Sequence, residues 1–186
     1  MNRTNWHVLQ SKKAFSTPFW DVCKDVCQTT SGKKLEYFYI KRPLAVGIVA
    51  FTADRKIILE RNYRHPIKSW IIGIPAGIVE AGEGCKAAVQ RELLEETGYQ
   101  VKNIKRLISL YFNPGILNQK FKLYIGFGAE KVRVPQRDEA ESIEVFEIEF
   151  DKAIRMAVEG RVENLEEVAA ILIAQEYIKK YGFKIS

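Results

Sequence analysis

Glu92, Glu95 and Glu96 stand at i, i+3 and i+4, a spacing that puts them on one face of a helix with Cβ atoms about 5–6 Å apart. Three like charges so close repel and would destabilise an isolated helix. A divalent cation among them removes that difficulty. All-oxygen sites suit hard ions such as Mg2+, held at about 2.0–2.1 Å with several waters retained. A cation in such a place polarises a phosphoryl oxygen and activates a water. Arg91 is spaced to pair with Glu95 and orient it, and Gly77 lets the main chain pass close to the ions. The plainer alternative is an amphipathic helix with a solvated acidic face. Acidic residues gather twice, over 80–96 and over 138–149, more densely than a merely soluble surface requires.

These side chains need elements to position them. Residues 84–97 carry helical apolar spacing, with Ala87, Ala88, Leu94 and the stem of Arg91 on the packed face. Gly98 ends that helix. Residues 44–51 are apolar throughout and predict a central strand, with 57–62 as its returning partner and 70–75 as another strand. Strands are also predicted over 101–112, 120–129 and 142–150, and a final helix over 164–180 with Val168, Ile171, Leu172 and Tyr177 inward. Ahead of these, 19–27 and 34–42 predict an antiparallel hairpin about the turn Thr29-Thr30-Ser31-Gly32. Cys23 and Cys27 share one face of it as small buried hydrophobes. The fold class is α+β with mixed sheets, and the domain organisation is an N-terminal hairpin region, 1–42, followed by a domain over 43–186.

Composition narrows the classes. With 186 residues, 47% hydrophobic and 28% charged, the chain is of single-domain size and globular rather than disordered. No apolar run reaches the ~18–20 residues of a membrane span, and the opening MNRTNWHVLQSKKAF lacks a secretory apolar stretch. Three cysteines do not make a disulfide framework, so the expected compartment is the reducing cytoplasm. The net charge of +6 favours anionic partners. Its basic pairs, Lys33-Lys34, Lys41-Arg42 and Lys179-Lys180, are scattered rather than gathered in a stripe, so nucleic acid is not the expected partner.

The stretch from Gly77 to Tyr99 resembles the Nudix box, Gly-x5-Glu-x7-Arg-Glu-U-x-Glu-Glu-x-Gly-U with U a bulky apolar residue. Gly77, Glu83, Arg91, Glu92, Leu93, Glu95, Glu96, Gly98 and Tyr99 fill its fixed positions. At average residue usage, the seven strict positions coincide by chance on the order of once in a million chains. Beyond the box, the chain is similar to the ADP-ribose pyrophosphatase group over most of its length. Pro75-Ala76-Gly77 resembles that group's Pro-Ala-Gly, Asn62-Tyr63-Arg64 its Gln-Tyr-Arg, and Pro114 follows Gly98 by sixteen residues, the spacing of ADP-ribose hydrolases.

The resemblance implies an α/β/α sandwich with mixed sheets and a homodimer in which N-terminal hairpins reach the partner. It implies Mg2+, or alternatively Mn2+, held by the Ala76 carbonyl, Glu92, Glu96 and Glu141, with Glu95 adjacent. Glu139 is the implied general base, with Glu141 and Glu144 next. Arg64, Pro114 and Gly115 would meet the diphosphate, and Phe19, Trp20 or Phe38 would stack on the base. The implied reaction is hydrolysis of a nucleoside diphosphate linked to a second moiety, ADP-ribose giving AMP and ribose 5-phosphate. The alternatives are another nucleotide sugar or dinucleotide, or a non-catalytic ADP-ribose-sensing domain. The aromatic-proline motif of NADH-cleaving relatives is missing from 106–113, RLISLYFN. Two positions depart from the group: Gly73 and Gln119 stand where its members usually carry Glu.

Overall fold

The computed structural model describes residues 6–136 and 142–185. The chain divides into two compact units, Met1–Leu44 with Tyr111–Lys120, and Ala45–Leu110 with Phe121–Ser186.

The first unit is built on a three-stranded antiparallel sheet, β1 (His7–Ser16), β2 (Asp21–Gln28) and β3 (Lys34–Lys41), in that order. The hairpin β2–β3 follows the alternation in the sequence, with Cys23 and Cys27 both buried. β1 is an addition to the sequence reading. All ten of its residues are exposed, so HVLQSKKAFS shows no period-two burial signal.

In the second unit, β4 (Ala45–Thr52), β5 (Lys56–Arg64), β6 (Ser69–Gly73) and β7 (Ala76–Ile78) precede helix α1 (Cys85–Thr97). There follow β8 (Tyr99–Gln100), β9 (Asn103–Tyr111), β10 (Lys120–Lys131), β11 (Ile143–Glu149), α2 (Phe150–Val158) and α3 (Leu165–Tyr181). The mixed sheet runs β11-β5-β4-β10-β8, with β6 on β5, β7 on β4 and β9 on β10. β10 is parallel to β4 and β5 is antiparallel to it. β4 buries both faces: Val46, Ile48 and Ala50 pack with Ala88, Val89 and Leu93 of α1, while Phe51 meets Phe127 and Phe150 of α2. Among the described residues no helix is long and apolar enough to cross a membrane.

Several boundaries and faces differ from expectation. The run 142–150 continues into α2, which the sequence reading missed because its nine residues follow β11 without a side-chain cap. On α1 the buried face is Ala88, Val89, Leu93, Glu96 and Thr97; Ala87 is exposed and Leu94 half-buried, because the sheet lies against the stripe one position away. On α3, Val168 and Leu172 are half-buried, and Glu167, Ala170, Ile171, Ala174 and Tyr177 face inward. Gly98 ends α1 at φ +76°, where a Cβ would also stand 2.1 Å from the Arg133 carbonyl oxygen. Only glycine fits that stop.

Glu167 is an ionisable residue in this core, and burial pushes its carboxyl up to about 8, opposed by the hydrogen bond it accepts from the Ile74 N–H and by Arg64, and reinforced by Glu166 and Glu60. A carboxyl raised above its ordinary 4.5 holds a proton in the folded chain that the unfolded chain releases. Stability therefore falls as pH rises from about 4.5 to about 8. Glu167→Gln should remove that fall. Denaturant midpoints at acid and alkaline pH should show the variant gaining on the parent by at least about 1.4 kcal/mol, one pKa unit, whereas parallel pH profiles would refute the assignment.

Candidate active site

β7 pairs antiparallel with β4, Gly47 opposite Ala76, and α1 packs across it. That crossing sets the glutamates of α1 against the main chain of residues 76–78. The Ala76 N–H donates to Glu96 Oε2 at 2.9 Å, and Glu96 is buried. At Gly77 there is no room for a side chain, since a Cβ would fall 2.1 Å from the Glu92 carboxyl carbon. The glycine of the motif thus lets the Glu92 carboxyl lie against the main chain.

Arg91 organises the rest. Its Nε and Nη2 donate to the two oxygens of Glu83, each at 3.0 Å. Nη2 also donates to the Ile78 carbonyl at 3.0 Å, and Nη1 to Glu92 at 2.9 Å and Glu95 at 3.1 Å. A planar fork with five donors can do this; an ammonium cannot. Hydrogen bonding to Glu83 first, then the charge of Glu92 and hydrogen bonds to Glu95 and Glu92, raise the guanidinium above its ordinary range against the opposing effect of burial. Arg91 in turn holds the Glu83 carboxyl below the usual carboxylate range, assisted by the Glu80 N–H. Glu83, which the sequence reading used only to define the motif, is therefore the chief partner of the arginine.

The arrangement gathers three carboxyl groups, Glu83, Glu92 and Glu95, around one guanidinium, with the Ile78 carbonyl alongside and Glu96 held on the Ala76 N–H. Among the described residues no three acidic, His or Cys side chains converge as a ready-made cage. Arg91 draws Glu83, Glu92 and Glu95 to itself and Glu96 turns to an amide. The donor set still suits a hard cation, because it is all oxygen and each carboxylate has about four lone-pair directions. The notch at Gly77 also brings the Glu92 carboxyl against the main chain.

Other expected site residues fall elsewhere. Glu139 and Glu141 lie outside the described residues. The residues flanking them are tied down: Gln136 N–H donates to the Glu95 carbonyl at 3.0 Å, and Tyr63 N–H to the Ser142 carbonyl at 3.2 Å. Glu144 pairs with Arg61 at 3.4 Å. Arg64 ends β5, exposed, beside a cavity of about 380 Å3 with Ile67, Ile71, Glu163 and Asn164.

In the first unit, Phe19 and Trp20 line a cleft of about 280 Å3 with Lys41 and Arg42. Thr17 builds the turn, its hydroxyl accepting the N–H groups of Phe19 and Trp20. Phe38 lies beneath Lys24. Following Pro114, the Gly115, Ile116 and Leu117 amides all donate to Asn113. These amides are thus engaged within their own exposed turn. Tyr37 OH donates to the Gly115 carbonyl. Gln119 is buried and its amide donates to the Pro43 carbonyl at 2.8 Å, a bond that an ionised Glu could not make.

Comparison with known proteins agrees with this geometry. The NUDIX domain model matches residues 41–168, and the chain belongs to the Nudix hydrolase family. It is 30% identical over 174 residues to a methanol dehydrogenase activator of Bacillus methanolicus, covering 92% of this chain and 94% of that protein. It is 29% identical over 171 residues to an ADP-ribose pyrophosphatase of Bacillus subtilis, covering 90% and 91%. A GDP-mannose pyrophosphatase of an Enterobacter species is 27% identical over 137 residues, covering 69% of each chain. The crystal structure of an ADP compounds hydrolase superposes with a TM-score of 0.84 at 21% identity, covering 96% of this chain and 97% of that one, which establishes the shared fold. Hydrolases of this family work on small nucleoside diphosphate compounds and generally need divalent cations.

The glycine notch yields a sharp expectation. In Gly77→Ala the added methyl collides with the end of a flexible side chain, so Glu92 moves while the fold persists. Turnover should fall at least about 100-fold, some 2.7 kcal/mol, with the thermal midpoint nearly unchanged. Full activity would show that Glu92 need not sit against the main chain.

Proposed function

We propose that the chain hydrolyses the diphosphate bond of ADP-ribose to AMP and ribose 5-phosphate, with Mg2+ as the cation and Mn2+ as a substitute. The observation that carries this reading is the meeting of Glu92 and Glu96 with the Ala76–Gly77 main chain, four oxygen-bearing groups brought together by two elements. The Ala76 carbonyl, Glu92, Glu96 and Glu141 would hold the cation, with Glu95 adjacent. When bound, the cation supplies neutralisation of diphosphate charge and a lowered pKa for the attacking water.

The protein's own groups do the rest. Glu139 accepts the proton from the water as general base, and Glu144, already engaged with Arg61, is less suited to that task. Arg64 offers a fork that matches two phosphate oxygens at once. With the amides after Pro114 committed to Asn113, the burden of diphosphate binding falls on Arg64. Phe19 and Trp20 supply an exposed aromatic surface beside Lys41 and Arg42, suited to a base. The N-terminal region, 1–42, serves dimerisation: Val8, Leu9, Phe15 and Phe38 are exposed on its sheet, in keeping with a homodimer. Three free thiols are in keeping with the reducing cytoplasm.

A second reading is hydrolysis of GDP-mannose, favoured by the relatives that bear that name and by Gly73 and Gln119, which depart from the ADP-ribose group. A panel of ADP-ribose, GDP-mannose and NADH with Mg2+, read by mass spectrometry of the products, separates the two. ADP-ribose should be the best substrate, and Glu96→Gln and Glu139→Gln should each lose at least about 100-fold. A preference for GDP-mannose would install the second reading, and no turnover of any compound would leave a binding domain in place of an enzyme.

A further inference from the structure

Helix α3 opens with Asn164-Leu165-Glu166-Glu167, the spacing of a capping box, in which the third helical residue turns back to the cap amide. Glu167 does something else. Its side chain leaves the helix end and Oε2 accepts the Ile74 N–H at 2.9 Å, across 93 residues of sequence. Asn164 makes no side-chain capping bond either. The helix start thus keeps its main-chain bonds to the Asn164 carbonyl but has no side-chain cap, while its glutamate reaches another element.

The place it reaches is the approach to the site. Residue 73 is glycine, and a Cβ there would lie 3.1 Å from Glu167 Oε1 and 3.3 Å from its carboxyl carbon. The carboxyl of α3 therefore occupies space that a side chain on β6 would otherwise enter. From residue 74 onward each unit is gripped from a different element. The Ile74 N–H goes to Glu167, the Pro75 carbonyl accepts the Ile48 N–H of β4 at 3.0 Å, and the Ala76 N–H goes to Glu96 of α1. Residues 74 and 75 lie between β6 and β7, and Pro75 has no N–H to offer, so the Ile74 grip sets where the chain enters β7. The charged groups around Glu167 are Glu166 on its own helix and Glu60 and Arg64 on β5, with Glu60 opposite Gly73 in the β5–β6 register. A Gln would accept the same N–H, so what this position supplies is the acceptor oxygen rather than a charge.

We propose that Glu167 is a positioning residue: by holding the Ile74 amide it fixes residues 73–76, and so the direction of the Ala76 carbonyl and the affinity of the site for a divalent cation. This rests on the reading of Ala76 as a cation ligand. Partners one step removed from a metal commonly affect affinity 10–100-fold.

The test uses the full chain, with Mn2+ as the probe, in three variants: Glu167→Ala, Glu167→Gln and Gly73→Ala. Amide exchange by NMR reads Ile74 directly, Mn2+ titration by electron paramagnetic resonance reads affinity, and steady-state kinetics separates kcat from KM. In Glu167→Ala, Ile74 exchange should quicken at least about tenfold while the amides of β4 keep their protection. Mn2+ should bind about tenfold more weakly, and kcat should fall with KM for ADP-ribose within about twofold. Glu167→Gln, which keeps the acceptor, should restore all three. Should Glu167→Ala fail to fold, Gly73→Ala, which presses a methyl on an intact carboxyl, should show the same weakened Mn2+ binding. Unchanged Ile74 exchange and Mn2+ affinity in the alanine variants would overturn the proposal while leaving the reaction assignment standing. A parent chain with a protected Ile74 amide that binds no Mn2+ would overturn the cation reading and this role together.

Discussion

One guanidinium holds this site together. Helix α1 presents glutamates at spacings where like charges repel, and the face is tolerable only because Arg91 stands among them. Its fork spans both oxygens of Glu83, an oxygen each of Glu92 and Glu95, and the Ile78 carbonyl. The last of these is the structural link, since it ties the helix to the strand that carries Ala76 and Gly77. Partly buried, multiply hydrogen-bonded ion pairs of this kind are costly to break, because any partner left behind remains desolvated. The charge excess that survives after pairing is what makes the place attractive to a cation.

The remaining architecture follows from keeping that arrangement in register. β4 is buried on both faces and serves as the common floor: α1 packs against one side and β7 pairs along it. Gly77 admits the Glu92 carboxyl, and Gly98 turns the chain out of α1 so that residues 132 and 133 can donate to its carbonyl. From there Gln136 reaches the Glu95 carbonyl, so that the chain toward the second acidic run starts from the same helix. The end of α1 and the residues 132–136 that follow β10 are thereby linked by main-chain bonds that are insensitive to side-chain identity.

What could be read from the sequence was whatever is local. The α1 glutamates, their arginine and the flanking glycines lie within one helix and one strand, so spacing alone announced their chemistry. β4 announced itself by an unbroken apolar run. Long-range partnerships left no such trace. Glu167 carried no signal of its own in the helical pattern, and only the fold brings it to Ile74. Gly73 could be seen as a missing side chain, but not that a carboxyl from α3 stands over it. Gln119 looked like a lost acid until its amide was found on Pro43. α2 was absorbed into the preceding strand because β11 runs into it without a break, and β1 was silent because neither of its faces is buried.

The site can work as proposed only if Glu92, Glu96 and the Ala76 carbonyl share a hard cation while Arg91 keeps Glu83. Anomalous diffraction from crystals soaked in Mn2+ tests this most directly. A peak should appear within about 2.0–2.3 Å of the Ala76 oxygen and of both carboxylates, with the Arg91–Glu83 fork still closed. A map with no peak there, or one in which Arg91 retains Glu92 and Glu95 at saturating Mn2+, would contradict it.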